Sequence, residues 1–227
     1  MTSYDTGDDA LDDALDDALD PAAMLALSRE QQTKVNTSYA KPMVAMLASW
    51  AIAWGIGFLV LWSGIPENNS PVFVPQPAAT IIFALLIVGA SVTCAVLGIR
   101  MNRGIRGSSN YSGAVYGATW SIASFGAAAV GVALLRAGMS SELAGLFFPA
   151  IYSLVVGIIY LAGAAIWRDK GQLILGVWII AVGSIAPFFG YPGNFLLMSI
   201  LGGGGFAVGA VALAVGLASS RKRVSRG

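Results

Sequence analysis

The chain has 227 residues, of which 56% are hydrophobic and only 11% are charged. Soluble domains average about 25% charged residues, so this composition excludes an ordinary soluble enzyme, a disordered chain and a nucleic-acid-binding protein. The net charge of +1 conceals an uneven distribution: residues 1–20 hold eight aspartates and no Lys or Arg, whereas the other residues hold 13 basic and 4 acidic side chains. The sequence therefore predicts an integral membrane protein with an acidic N-terminal segment.

Residues 1–20 form a low-complexity segment in which Asp-Asp-Ala-Leu occurs three times. Like charges on neighbouring helical turns repel, which favours a solvated, disordered tail. In a helix, however, the repeated leucines would form an apolar stripe, so a tail that binds a partner is the alternative. Next, Asp20-Pro21 is typical of a helix start. We expect a short helix from there to about Val35, within a cytoplasmic juxtamembrane region, residues 21–42.

Residues 43–218 are predicted to form an all-α transmembrane domain, a bundle of six helices. Crossing the hydrocarbon layer takes about 20 apolar residues in a helix, and six stretches meet this requirement without an internal Asp, Glu, Lys or Arg. They run from Met43 to Ser63, Ala78 to Ile99, Gly113 to Leu135, Gly145 to Trp167, Gln172 to Gly190 and Phe195 to Ala218. Residues 219–227 then form a basic cytoplasmic tail.

The basic residues lie almost entirely on one side of these six helices. Arg136 is alone at the opposite side, and twelve Lys and Arg residues share the first side. The residues that determine the topology most strongly are Arg100, Arg103, Arg106, Arg168, Lys170, Arg221, Lys222 and Arg223. Because positive charge is retained on the cytoplasmic side, we expect a multi-pass protein of the plasma membrane (the bacterial inner membrane), with both termini in the cytoplasm.

A run of four glycines, Gly202, Gly203, Gly204 and Gly205, lies near the start of the sixth helix, and Gly209 follows. Each glycine lowers helix propensity by about 1 kcal/mol relative to alanine. One interpretation is close helix packing, because Gly205 and Gly209 form a GxxxG pair. The other is a break in the helix that presents backbone groups to a solute. Gly113 and Gly117 form a second GxxxG pair, in the third helix, for contact within the chain or between chains.

A weak internal repeat accompanies these helices. Trp50, Trp120 and Trp178 each lie in the early half of an odd-numbered helix, in similar local sequences. Three parallel helical hairpins, as in some transporters, would explain the repetition. Chance matches within the small residue alphabet of membrane helices are the alternative.

Chemistry-bearing residues are scarce in the six predicted spans. The chain has no histidine, a single cysteine, Cys94, and no Asp, Glu, Lys or Arg inside a predicted span. Proton relays and ion pathways in membranes use such residues, and a nucleophile needs a base to activate it. We therefore expect no catalytic residue, no metal site and no cofactor, and we interpret Cys94 as a packing residue.

The first helix, Trp50-Ala-Ile-Ala-Trp54-Gly-Ile-Gly-Phe58, and the glycine run of the last helix resemble a loosely defined group of six-helix actinobacterial membrane proteins. The similarity covers roughly Lys41 to Leu217 and leaves out the acidic tail. Members of this group are often encoded near transporters and regulators, so the resemblance implies a transport-related setting. It lends no catalytic residue.

Together these features predict a non-enzymatic membrane subunit or scaffold. Its partners would be membrane lipid and either another membrane protein or further copies of the chain, bound through small-residue helix faces. No nucleic-acid partner is expected. The alternative is a small transporter or channel for a neutral or amphipathic solute, with the glycine run lining its site.

Overall fold

The computed structural model describes residues 21–68, 70–102 and 108–224, and every regular element in this part of the chain is helical. The longer elements are α1 (Pro21–Ser63), α2 (Gln76–Asn102), α3 (Ser108–Arg136), α4 (Ser141–Trp167), α5 (Lys170–Ile185), α6 (Gly193–Leu197) and α7 (Gly204–Val224). Short 3-10 helices cover Pro66–Asn68 and Ala186–Phe189, and a π-helical segment, Met198–Gly203, joins α6 to α7. The predicted all-α fold is confirmed.

The described residues contain six helical stretches long and apolar enough to cross a membrane, as predicted. These spans are Tyr39–Ser63, Gln76–Met101, Tyr111–Arg136, Ser141–Trp167, Lys170–Phe189 and Gly193–Ser219, numbered first to sixth. Their ends differ from the predicted ends by a few residues. For example, the fourth span starts before Gly145 because the Ser140 side chain caps α4, accepting a hydrogen bond from the Leu143 N–H at 3.2 Å.

The chain separates into two units, Met1–Lys41 and Pro42–Gly227. Of the first unit, the structure describes residues 21–41, which are helical. The predicted helix end near Val35 is wrong, since α1 continues to Ser63 with Pro42 inside it. Residues 35–41 contain neither glycine nor proline, so nothing in the local sequence ends the helix there. The acidic tail, residues 1–20, lies outside the described residues, and so do Arg103, Arg106 and Arg226.

In the second unit, α4 and α5 form a close antiparallel hairpin. A Cβ atom placed on Gly157 would lie 2.8 Å from the carbonyl oxygen of Gly176, and one on Gly176 would lie 3.0 Å from that of Gly157. The two backbones therefore cross in direct contact, which only glycine permits. Asp169 caps α5 by accepting hydrogen bonds from the N–H groups of Gly171 (2.7 Å) and Gln172 (3.4 Å).

The second and third spans take little part in this packing. In their most apolar stretches only 6% and 11% of the residues are buried, against 28% in the fourth and fifth spans. The described core instead gathers side chains of the first, fifth and sixth spans. Its most buried large members include Trp54, Phe58, Ile179, Met198 and Phe206. Most of the second and third spans is thus left to contact lipid or another protein.

Candidate functional site

The glycine run lies where the sixth span meets the first and fifth spans. The chain stays helical through it, because the π-helical segment Met198–Gly203 passes directly into α7 at Gly204. Two side-chain hydrogen bonds hold this region. The Ser199 hydroxyl donates to the Gly55 carbonyl oxygen at 2.6 Å, and the Trp178 indole N–H donates to the Leu201 carbonyl oxygen at 2.9 Å.

Five glycines were predicted to form a packing face or a solute site, and three of them face protein atoms at very short range. A Cβ atom on Gly202 would lie 2.7 Å from the Trp54 ring, and one on Gly203 would lie 2.6 Å from the backbone of Gly55. One on Gly205 would lie 2.5 Å from the Trp178 indole. At each position a methyl group would force a neighbouring group to move. The contacted residues belong to the first and fifth spans, so these glycines pack against those two helices.

Gly204 and Gly209 differ from the other three. A Cβ atom on Gly204 would meet no heavy atom within 4 Å, and one on Gly209 would make an ordinary contact of 3.7 Å with Leu47. Sequence alone does not distinguish these positions from Gly202, Gly203 and Gly205, because the distinction depends on which way each residue faces in the folded helix.

A continuous series of aromatic contacts runs beside this site. It joins Trp167, at the end of the fourth span, to Tyr191, which precedes the sixth, so it extends from one membrane edge to the other. Neighbouring ring centroids lie 4.6–6.3 Å apart, the range of favourable aromatic pairs. In order the rings are Trp167, Tyr116, Trp120, Tyr160, Phe206, Trp54, Phe58, Phe195 and Tyr191.

Tyr191 is the member of this aromatic series that lies between two spans. Burial raises the pKa of its hydroxyl above the ordinary value, and the negative charges of Glu142 and Glu67 raise it further. Tyrosine is uncharged at neutral pH already at its ordinary pKa, and these effects oppose its ionisation further. Both glutamates are exposed.

The three tryptophans of the internal repeat each contact the second helix of their own predicted hairpin. The Trp50 indole N–H donates to the Cys94 sulfur at 3.2 Å, so Cys94 accepts a hydrogen bond within the bundle. Trp120 contacts the Tyr160 ring edge-on, and Trp178 bonds the sixth span as described above. The contacted residues do not occupy equivalent positions along their helices, however, so the repeat stays a hypothesis.

One buried polar side chain, Asn194, was not singled out from the sequence. It is 1% exposed, and its Nδ2 donates to the Gly145 carbonyl oxygen at 2.8 Å. That carbonyl lacks its usual donor, because residue 149, four positions later in α4, is a proline without an N–H. Asn194 thus supplies this partly buried carbonyl with a donor, which a helix inside a membrane requires. Pro149 in the sequence indicates that a carbonyl four residues earlier lacks its helical donor, but it does not indicate which side chain replaces that donor.

The predicted topology-determining residues lie at helix ends. Arg100 is in the last turn of α2, Arg168 and Lys170 flank the turn between α4 and α5, and Arg136 ends α3. Residues 221–223, Arg221, Lys222 and Arg223, fall within α7, but the structure describes nothing of their side chains. Among the described residues no group of three His, Cys, Asp or Glu could hold a metal ion.

Comparisons with protein-family models, curated proteins and solved structures find no match to this chain. Its function is therefore inferred from the geometry of the helices.

Proposed function

We propose that this integral membrane protein is a non-enzymatic scaffold whose third span joins copies of the chain. Association with other membrane proteins, including those of a transport system, would build on that contact. The observation that supports the proposal is the position of Gly117. A Cβ atom there would meet nothing within 4 Å, and Gly117 is exposed on a span of which 11% is buried.

Glycine at such a position weakens a helix by about 1 kcal/mol relative to alanine. In the fourth, fifth and sixth spans that cost is offset by close contacts, as at Gly157, Gly176 and Gly203. No such contact exists at Gly117 among the described residues. Small residues favour membrane-helix association because they let two backbones approach. A GxxxG face is also complementary to itself, so a second copy is the partner that this face fits.

We expect disulfide cross-linking to detect this contact. Ser121 is exposed and lies one helical turn beyond Gly117. In a Cys94→Ser background, Ser121→Cys should form an oxidised dimer in membranes. Gly117→Leu should lower the dimer yield about tenfold, equivalent to a loss of about 1.4 kcal/mol, because leucine separates the two helices.

Ile174, 70% exposed on the fifth span, provides the control position. Ile174→Cys should cross-link weakly, and Gly117→Leu should not change its yield. Equal cross-linking at residues 121 and 174, or an unchanged Ser121→Cys yield in the Gly117→Leu variant, would contradict the proposal.

A second candidate function is a small transporter or channel for a neutral or amphipathic solute. The observation in its favour is the π-helical segment Met198–Gly203, since such turns occur frequently at functional sites. Gly204, next to it, has open space on its Cβ side. We rank this function second because Gly202, Gly203 and Gly205 contact protein atoms.

We also propose that the protein lies in the plasma membrane (the bacterial inner membrane) with both termini in the cytoplasm. Arg100, Arg168 and Lys170 support this orientation, because they fall where even-numbered spans end or odd-numbered spans begin. Arg136 falls at the opposite edge.

Cysteine labelling of intact cells tests the orientation. In the Cys94→Ser background, Ala137→Cys lies between the third and fourth spans, and Ser219→Cys lies at the end of the sixth. A membrane-impermeant maleimide should label residue 137 from outside and label residue 219 only after the cells are opened. The reverse labelling pattern would show that both termini lie outside and would contradict the proposed orientation.

A further inference from the structure

An open surface cavity of about 300 Å³ lies at the turn between α4 and α5, away from the glycine run. Its walls combine two kinds of residue. The apolar part consists of Leu161, Ala164, Ala165 and Leu173. These residues come from the last turns of the fourth span and the first turns of the fifth, so the apolar wall lies at the membrane edge.

The polar part of the cavity carries two positive charges and one negative charge. Arg168 and Lys170 are both exposed, and Asp169 lies between them in sequence. The Asp169 carboxylate already accepts hydrogen bonds from two N–H groups of α5. Because two cations and one anion line the cavity, its net charge is positive and favours an anionic ligand.

The backbone of Arg168 gives an independent indication. Its φ of 53° and ψ of 40° place it in the left-handed region, and it is the one non-glycine residue with positive φ among the described residues. Helices that end in this conformation usually carry glycine there, because a side chain is strained. Strain of this kind concentrates at functional sites. At this position the strained residue is a cation that lines the cavity.

The residue beside the cavity indicates its level in the membrane. Trp167 directly precedes Arg168 and is 45% exposed, and tryptophan prefers the level of the lipid head groups. Two cations at that level would lie near the phosphates of the bilayer, and the apolar wall would lie on the side of the acyl chains. A ligand that matches both parts carries a negative charge on a hydrocarbon tail.

We propose that this cavity binds an anionic phospholipid, with the phosphate at Arg168 and Lys170 and an acyl chain along Leu161 and Leu173. The site is separate from the third-span contact proposed above. Anionic lipids attract cations near a membrane surface in general, so the experiment must separate a shaped site from general attraction.

The full chain in neutral detergent is titrated with phosphatidylglycerol or with phosphatidylcholine of the same acyl chains, and unfolding is followed by tryptophan fluorescence. We expect phosphatidylglycerol to raise the melting temperature by about 4 °C more than phosphatidylcholine does. The paired change Arg168→Gln with Lys170→Gln should remove most of that difference. Arg100→Gln, which removes an exposed cation from the end of another even-numbered span, should keep it.

Two further variants test the shape of the site. Ala165→Trp changes no charge but fills the apolar part of the cavity, and it should also remove the response to phosphatidylglycerol. Arg168→Gly relieves the backbone strain, so it should raise the melting temperature in neutral detergent while reducing the lipid response. This variant is expected to fold at least as well as the unchanged chain, so loss of its lipid response cannot be ascribed to unfolding.

Three outcomes would overturn the proposal. Equal losses from Arg100→Gln and from the Arg168 and Lys170 changes would indicate general surface attraction. A full response from Ala165→Trp would show that the apolar wall is not used. The same stabilisation by inorganic phosphate alone would assign the site to a free anion instead of a lipid.

Discussion

Gly203→Ala is expected to destabilise the folded protein by about 2 kcal/mol, the cost of inserting a methyl group into a close-packed contact. The new Cβ would lie 2.6 Å from the Cα and N atoms of Gly55. Backbone atoms cannot rotate away as a side chain can, so the first and sixth spans must separate. That movement also lengthens the hydrogen bond from Ser199 to the Gly55 carbonyl oxygen. Thermal unfolding in detergent, followed by tryptophan fluorescence, measures the loss.

Gly204→Ala is the matched control for this change. It adds the same methyl group to the neighbouring residue, where no heavy atom lies within 4 Å, and alanine is the better helix former. We therefore expect unchanged or slightly higher stability. Equal destabilisation by the two variants would contradict the described contact between Gly203 and Gly55.

Gly204→Ala also distinguishes a scaffold from a transporter. If the glycine run serves helix packing, Gly204→Ala should leave the protein unaffected in every assay. If the run lines a solute site, Gly204→Ala should slow the glycerol-driven swelling of vesicles that contain the protein while its stability is unchanged. Swelling no faster than in protein-free vesicles would count against a pathway for small neutral solutes.

Asn194→Leu is expected to cost about 2 kcal/mol, the penalty for leaving a partly buried carbonyl in a membrane helix without a donor. The carbonyl is that of Gly145, which receives no N–H from Pro149. Leucine has the same number of side-chain heavy atoms as asparagine, with the same branch at Cγ, but donates no hydrogen bond. Denaturant titration or thermal unfolding measures the change.

Pro149→Ala provides the control for Asn194. It restores an N–H four residues after Gly145, so the helix can satisfy that carbonyl itself. In the Pro149→Ala background, Asn194→Leu should therefore cost less than half as much as in the unchanged chain. The same cost in both backgrounds would show that Asn194 acts through a different contact.

Local composition was sufficient to predict the six spans, because a long uncharged apolar helix is the simplest way to satisfy a backbone in hydrocarbon. Their ends were less predictable. Ser140 as a cap extended the fourth span, and α1 continued past Val35 because residues 35–41 contain no helix-breaking residue, and then ran on with Pro42 inside it. Both differences depend on local hydrogen bonding, which hydropathy does not describe.

The candidate site was only partly visible in the sequence. The glycine run marked the region, but which glycines touch Trp54, Gly55 and Trp178 depends on how three helices rotate and cross. The pairing of Asn194 with the Gly145 carbonyl joins residues 49 positions apart, so no local pattern could reveal it. The cavity beside Arg168 was equally hidden, because a left-handed backbone at arginine has no sequence signature.

The hydrogen bond between Ser199 and Gly55 joins residues 144 positions apart in the chain. During synthesis, therefore, the first helix enters the bilayer long before its main neighbour has been translated. Trp54 and Phe58 meet Phe206 and Phe195 only when the last helix arrives. Until then these rings lack their aromatic partners, so the contacts between the first and sixth spans form only after the first five spans have been made.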